Sequence, residues 1–541
     1  MRAAQPGPRH ADAAWTNADA LALSSERSPN ETPSQLKTVD LHLLTVRDPQ
    51  WGAPLWLRGV LVAAAFAVVG LRFADRDLVP YILDEPRFQH AAESHVRAGT
   101  WPTISPLTGN LGIAYGPAPV WFYTAVHHVV GPKPERSILA VTLFLSLTEL
   151  LLAAALARAL RGGWLLFATL SVFLSASPFL FFWSRVAWEV FSGYIALSVV
   201  LLASDRPLSI SRGALIGICL GLALTSHPMT VPMVLATLAV LGWSTARHRV
   251  GAAGLGALLA TLLLVNVPYL WALHQSGRAP APPGPGLTTG LLGFPARLGA
   301  ELLAPARVLT TTGVDYFFDN AWPAFQGWLG PSGGLLALGP VVAVTVALFG
   351  ALGLLWTARF GPPGARRVAR IGLLAWAGLA VLLSALGLPV QPHYQLAASW
   401  IVPTGIGALA MAVLPRHPRL ARGLLACVWV LALAQVTFTQ AWMRWVRERG
   451  GTAGIHYSVP LSAQRAFLHS ACSTDRRQVA LANRTYLFPD SLLSLAQTEP
   501  ACAGKRVGVC PADCPVLDAE WRVVSLRYAN PPGGRLAPIG R

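Results

Sequence analysis

Runs of predominantly apolar residues recur along the chain, separated by short segments rich in Arg, Pro and Gly; the first is LWLRGVLVAAAFAVVGLRFA at 55–74. A run of about 20 such residues crosses the bilayer core as a helix, and in lipid only helices or closed barrels satisfy every backbone polar group. Further runs lie at 137–157, 163–183, 187–203, 213–226, 228–243, 253–274, 335–357, 371–388, 395–414 and 421–442. They predict an all-α polytopic membrane protein with about eleven transmembrane helices. Composition agrees: 53% of the 541 residues are hydrophobic and 12% charged, about half the charged share of a soluble domain.

A formal net charge of +17 raises nucleic acid as a partner. The basic residues, however, stand in small groups beside apolar runs and are not gathered with stacking aromatics on one domain, so nucleic-acid binding is excluded. Cytoplasmic loops are enriched in Lys and Arg. Arg158 and Arg161, Arg206 and Arg212, Arg247 and Arg249, Arg359 to Arg370, and Arg416 to Arg422 fall on alternate loops, which places them inside. Residues 1–50 are polar, lack the apolar core of a cleavable signal and read as a disordered cytoplasmic tail. The transmembrane domain is expected over 51–443 with long outer loops at 75–136 and 275–334.

An odd number of spans leaves 444–541 outside as a small extracytoplasmic domain with Cys472, Cys502, Cys510 and Cys514. Four cysteines in an oxidising compartment read as disulfide partners, with three pairings open. The spacing of CPADC also permits a zinc site, though no His pair accompanies it. Cys219 and Cys427 lie inside apolar runs and are expected to pack there.

The stretch YILDEPRF at 81–88 sets two adjacent carboxylates, Asp84 and Glu85, just beyond the first span. An acid before a proline is a common helix start, where it caps free N–H groups. Phe88, Ala91, Ala92, His95 and Val96 then recur at helical spacing, as on a helix lying along the membrane surface. Capping accounts for one acid better than for two. A Gly- and Pro-rich connector follows, then Tyr115-Gly116-Pro117 and Trp121 in a second aromatic segment.

An acid outside the first span, a surface helix, a connector and the pattern Y-x-P-x-x-x-W together resemble the first outer loop of GT-C membrane glycosyltransferases. The nearest likeness is to protein-O-mannosyltransferase-like and lipid A aminoarabinose-transferase-like bacterial enzymes. SASPFLFFWSRVAWEVFSGYIALSVVLL at 175–202 and IGICLGLALTSHPMTVPMVLATLAVL at 216–241 are similar to later family segments. The resemblance covers 55–275 by motif and the remainder by hydropathy. It departs where the aminoarabinose transferases commonly carry Lys-Pro-Pro, because this chain has Tyr115-Gly116-Pro117 and one expected phosphate-binding cation is missing.

The resemblance implies transfer of a sugar from a polyprenyl phosphate, undecaprenyl phosphate in bacteria, to an acceptor at the outer face of the cytoplasmic membrane. The acceptor could be a glycan, a lipid or a protein. Such a donor needs no nucleotide-binding domain, and no Gly-rich phosphate loop is evident. By resemblance Asp84 is the candidate base of an inverting transfer, with Glu85 as neighbour or substitute; adjacent carboxylates repel, which raises one pKa. Arg185 is a candidate for the leaving phosphate or, alternatively, an interfacial anchor. Glu189 shares a helix face with it and, with Asp84, could hold a divalent ion such as Mg²⁺ or Mn²⁺. Tyr115, His227, His393 and Tyr394 complete the candidate donor-binding set, each with packing or headgroup contact as the alternative.

Two other readings stand beside this one. A transporter or flippase of lipid-linked saccharide would have many spans too, but would place polar groups in two matching halves near the midplane. An O-antigen ligase or polymerase would rely on Arg and His in a late outer loop.

Overall fold

The computed structural model describes residues 54–540 apart from 82–83, 107–113, 187–189, 249–250, 277–292, 319–320, 389–390, 450–458, 476, 484–488, 511–520 and 529–535. The expected tail 1–50 lies outside the described residues. In chain order the helices begin with α1 (Leu55–Leu71), α2 (Asp84–Ala98), α3 (Ala118–Val130), α4 (Pro134–Ala159), α5 (Gly163–Ala176), α6 (Pro178–Trp183), α7 (Val190–Leu202) and α8 (Ile210–Ser226). They continue with α9 (Val231–His248), α10 (Ala252–Ser276), α11 (Phe294–Val308), α12 (Asp315–Phe318), α13 (Trp322–Trp328), α14 (Gly339–Phe360), α15 (Pro363–Ala385), α16 (Ile401–Val413) and α17 (Pro418–Arg449). A C-terminal part holds α18 (Leu461–Cys472), β1 (Gln478–Asn483), α19 (Pro489–Ala496), β2 (Arg506–Cys510), β3 (Trp521–Tyr528) and β4 (Leu536–Gly540).

Every expected apolar run falls on an apolar helix or a broken pair. Among the described residues six helical stretches, Pro134–Ala159, Pro228–Arg247, Ala252–Ser276, Gly330–Phe360, Pro363–Ala385 and Pro418–Arg449, are long and apolar enough to cross a membrane alone. A seventh arises if Pro392–Ala398 and Ile401–Val413, bent by 50°, form one span. α1, α5, α7 and α8 are apolar but shorter. The 163–183 run breaks at Ser177, whose side chain accepts from Leu180 N–H and starts α6 at Pro178. The chain is a multi-pass membrane protein. Leu264 (72% exposed), Val430 (69%) and Leu433 (68%) present apolar surface that water would penalise and acyl chains would not.

Without a hydrophobic drive between helices in lipid, close packing by small residues holds the bundle. Gly213, Gly217 and Gly221 stand four apart on α8 and face α10, where a Cβ at Gly213 would strike Gly254 O and one at Gly217 would strike Leu258 O. Thr261 Oγ1 reaches across to Ala214 O at 3.0 Å. One charge pair is buried in the bundle: Arg72 Nη1 lies 2.7 Å from Glu149 Oε2, without the alignment of a hydrogen bond. Arg72 Nη2 also donates to Leu174 O at 3.1 Å, so the end of α1 is tied to α4 and α5.

The C-terminal part is an α/β unit with a four-stranded sheet in the order β2-β1-β3-β4, where β1 runs parallel to β2 and β3 and β4 is antiparallel to β3. Composition alone indicated a cysteine-containing domain and no sheet. Its disulfide joins Cys472 to Cys502. The side chain of Cys510, and Cys514 altogether, lie outside the described residues. Cys219 is half-buried in α8, whereas Cys427 is exposed on α17 and faces outward instead of packing.

This unit is docked on the first outer loop. Leu461 N–H donates to Val79 O at 2.8 Å, Gln464 Nε2 donates to Tyr81 O at 3.0 Å, and the Tyr81 hydroxyl meets Ser494 Oγ at 2.8 Å. Arg465 pairs with Glu135 at the start of α4 and with Glu499. α2 meets this unit as well, Arg97 Nη2 donating to Gln497 Oε1 at 3.2 Å, while Glu85, Pro86, Phe88, Gln89 and Ala92 are buried.

Candidate functional site

The acid pair opens α2. The helix begins at Asp84, ahead of Pro86, so both carboxylates occupy its first turn, where the free N–H groups favour negative charge. Their surroundings then diverge. Glu85 is 2% exposed and accepts from the Tyr123 hydroxyl of α3 at 2.9 Å. Burial pushes its carboxyl up to about 8, against the opposing effect of Tyr123 and Gln89. Asp84 is only half-buried; burial raises its pKa too, with Arg87 acting the other way. Two neighbouring carboxyls with different environments can take different roles. Near neutral pH Glu85 is held protonated.

α2 and α3 share one apolar cluster, with Phe88, Ala92, Val120 and Tyr123 at its centre and Tyr115 packed against it. Tyr115 also lines a cavity of about 400 Å³ with His227, Tyr394, Asn266 and Tyr269 among mostly apolar neighbours. The loop reaches this position because residue 116 is glycine: a Cβ there would lie 2.7 Å from Thr225 Cα. Tyr269 Oη donates to Ala114 O at 2.7 Å and pins the same loop to α10. The Tyr-Gly-Pro sequence that departs from the related pattern thus lets the loop press on the end of α8.

Tyr115 stacks on His227, with ring centroids 5.5 Å apart and planes at 26°. Tyr394 and Phe191 approach the same imidazole at 5.9 and 5.2 Å. His227 follows α8, and its Nδ1 accepts from Met229 N–H at 3.2 Å, which puts the proton on Nε2. Burial lowers its pKa to about 4, so the ring is a neutral donor. Leu263 and Leu270 line the cavity and are 59% and 53% exposed on the outer face of α10, so the cavity opens where acyl chains would run.

His393 lies beside this group. Its Nδ1 meets the Tyr316 hydroxyl at 3.1 Å, and its ring lies 5.6 Å from Trp183 and 4.3 Å from Tyr394. Tyr115, His227, His393 and Tyr394 are therefore brought into one aromatic chain. Arg185 is placed differently. Its buried guanidinium donates to Ala74 O and Asp75 O at 2.6 Å each and lies over the Phe181 ring at 4.7 Å. It clamps the turn after α1, where Asp75 adopts a left-handed φ of 48° and pairs with Arg447. Glu189 lies outside the described residues. Among the described residues no three His, Cys, Asp or Glu side chains converge as a metal site.

No family model and no curated protein matches the chain. Among solved structures it is similar to ArnT from Cupriavidus metallidurans bound to undecaprenyl phosphate, at 14% identity and a TM-score of 0.49, over 88% of this chain and 94% of that one. The apo state of that protein matches at 14% identity and 0.47, over 84% and 85%. The archaeal oligosaccharyltransferase AglB from Archaeoglobus fulgidus, in complex with an inhibitory peptide and a dolichol-phosphate, matches at 14% identity and 0.39, over 84% and 64%. Likenesses of this size transfer no residue role and no ligand to this chain.

Three polar groups at the site carry no motif. Tyr123 is singled out only by its contact with Glu85, and Asn266 and Tyr269 only by the packing of α10 on α8. Glu301 of α11 is a fourth: it is 1% exposed, accepts from Gln395 Nε2 at 2.6 Å, and burial lifts its carboxyl to about 7. An isolated acid in an apolar helix was the available signal for it.

Proposed function

We propose that the chain is an integral-membrane glycosyltransferase that moves a sugar from a polyprenyl phosphate, undecaprenyl phosphate in a bacterial cytoplasmic membrane, to a hydroxyl acceptor at the outer face. One observation carries this reading: Tyr115, the inner wall of an apolar cavity open toward lipid, packs on the helix pair that presents the Asp84–Glu85 pair. An apolar cavity at the membrane edge suits an isoprenoid donor, and an acid of raised pKa on the helix whose apolar cluster Tyr115 joins suits proton removal from a hydroxyl.

In the proposed step the acceptor oxygen attacks the anomeric carbon while Asp84 takes its proton. The bond from that carbon to the phosphate oxygen breaks on the opposite face, and the polyprenyl phosphate leaves with the electron pair, which inverts the centre. The neutral Nε2–H of His227 and the hydroxyl of Tyr394 supply hydrogen bonds without a fixed charge, while Tyr115 contributes its ring to the cavity wall. Glu85, protonated and bonded to Tyr123, positions the first turn of α2. The α/β unit meets α2 and would form one wall of the acceptor's approach.

The test uses purified protein, a radiolabelled polyprenyl-phosphate sugar and membrane extract. Wild type is expected to build a labelled glycoside, and Asp84→Asn to lose that product while keeping its melting temperature. Undiminished transfer by the variant defeats the assignment. Labelled lipid that crosses vesicles without a new glycoside identifies a carrier instead.

A further inference from the structure

The α9–α15 pair has a second cleft, at the opposite end of α9 from His227 and the cavity. α9 has 18 residues, a rise of about 27 Å, so the two sites lie near opposite membrane faces. The cleft is about 810 Å³, and Arg247 of α9 and Arg366, Arg367 and Arg370 of α15 all line it. No carboxylate is in its lining. The neighbouring acid, Asp205, accepts Gly364 N–H at 2.7 Å at the start of α15 and acts on Arg367, one carboxylate against four arginines. Arg206 of the adjoining loop and Arg212 in the first turn of α8 add positive charge and cannot balance the cluster.

Three of the guanidiniums are anchored through only part of their donor set. Arg366 donates from Nε and Nη2 to Gly361 O at 3.2 and 3.0 Å, Arg367 from Nη1 to Leu202 O and Ser204 O at 3.1 and 3.0 Å, and Arg370 from Nε to Ala358 O at 3.1 Å. A guanidinium carries five N–H donors, so these contacts fix the forks while leaving donors for an anion. Like charges held together at a membrane surface repel unless an anion joins them.

The rest of the cleft is apolar. Val240, Leu373 and Leu374 continue its wall toward bilayer depth, and Trp243, 68% exposed, stands at the arginine level. A small free anion would use the arginines and leave that wall idle. A basic pocket between membrane helices with a ring at the interface matches an amphipathic ligand. We propose that this cleft binds an anionic phospholipid, with the phosphate of the headgroup among the four arginines and an acyl chain along the α9–α15 wall. The site is independent of the transfer chemistry.

Native mass spectrometry of the full chain, released from detergent with phosphatidylglycerol or phosphatidylcholine added, tests this. Phosphatidylglycerol is expected to stay bound at least about tenfold more than phosphatidylcholine, and the double variant R247Q/R370Q to lose roughly tenfold of that retention. Arg247 and Arg370 are exposed, so the lipid-free melting temperature should hold. Ser244→Asp, which sets a carboxylate on an exposed cleft position, is a second variant expected to expel the lipid. Equal retention of the two lipids, retention unchanged in both variants, or displacement of the lipid by millimolar inorganic phosphate each overturns the proposal; the last would mark a small-anion site.

Discussion

Tyr115 and His227 stack at 5.5 Å, and through this contact the first outer loop closes over the end of α8. The pair forms one wall of the cavity assigned to the lipid donor. Tyr115→Ala is expected to raise KM for the polyprenyl-phosphate sugar about 3- to 10-fold, the value of one aromatic contact, with kcat near wild type. Tyr115→Phe should stay within about twofold of wild type, because the ring carries that contact. A fall in kcat at constant KM would remove the cavity from donor binding.

Asp84 and Glu85 are adjacent in sequence and unequal in role. Asp84→Asn should lower kcat by about 10²- to 10⁴-fold, the usual weight of a positioned base, without a change in thermal stability. Glu85→Gln should keep most activity at pH 7, since burial lifts that carboxyl to about 8 and it is already protonated there. Steady-state transfer by both variants checks the division, and equal losses would refute it.

Glu85 and His227 give stability a pH dependence of opposite signs. Glu85 rises from 4.5 to about 8 on folding, so the folded state holds the extra proton; its contribution is full below pH 4.5 and is lost as pH rises through 8. His227 falls from 6.5 to about 4, so its contribution is full above pH 6.5 and is lost as pH drops to 4. Melting temperature measured in detergent from pH 4 to 9 should fall less on the alkaline side in Glu85→Gln than in wild type. An unchanged alkaline limb would show that Glu85 ionises freely in the fold.

Cys472 and Cys502 close a loop of 30 residues in the α/β unit. Loop entropy predicts about 3.6 kcal/mol of stabilisation, so C472S/C502S should unfold that unit several degrees earlier while the bundle's helical signal persists. Peptide mapping without reductant should recover Cys472 linked to Cys502; another partner for either cysteine would contradict the pairing.

Much of the bundle is legible in the sequence because the bilayer imposes one rule on every span. A run such as 253–274 must be helical in lipid, and it lies within α10. Residues 213–226 look short for a span, yet α8 holds its place because Gly213, Gly217 and Gly221 let it sit against the backbone of α10. The α/β sheet was not legible: its parallel strands are joined across long separations, and composition carries no record of such pairing. Arg185 reads as a phosphate ligand or an interfacial anchor in the sequence, and only the fold brings Ala74 O and Asp75 O to its Nη2.

The order of apolar runs, the alternation of arginine groups and the position of two acids beyond the first span are local properties, and the sequence alone determined them. Which acid is buried, which histidine is neutral and what Tyr115 touches depend on neighbours far away in the chain. Glu85 meets Tyr123, and Tyr115 meets a residue more than a hundred positions on. Desolvation and stacking act over a few ångströms of space, so tertiary structure alone could turn YILDEPRF from a helix start into one half-buried acid beside one buried, protonated partner.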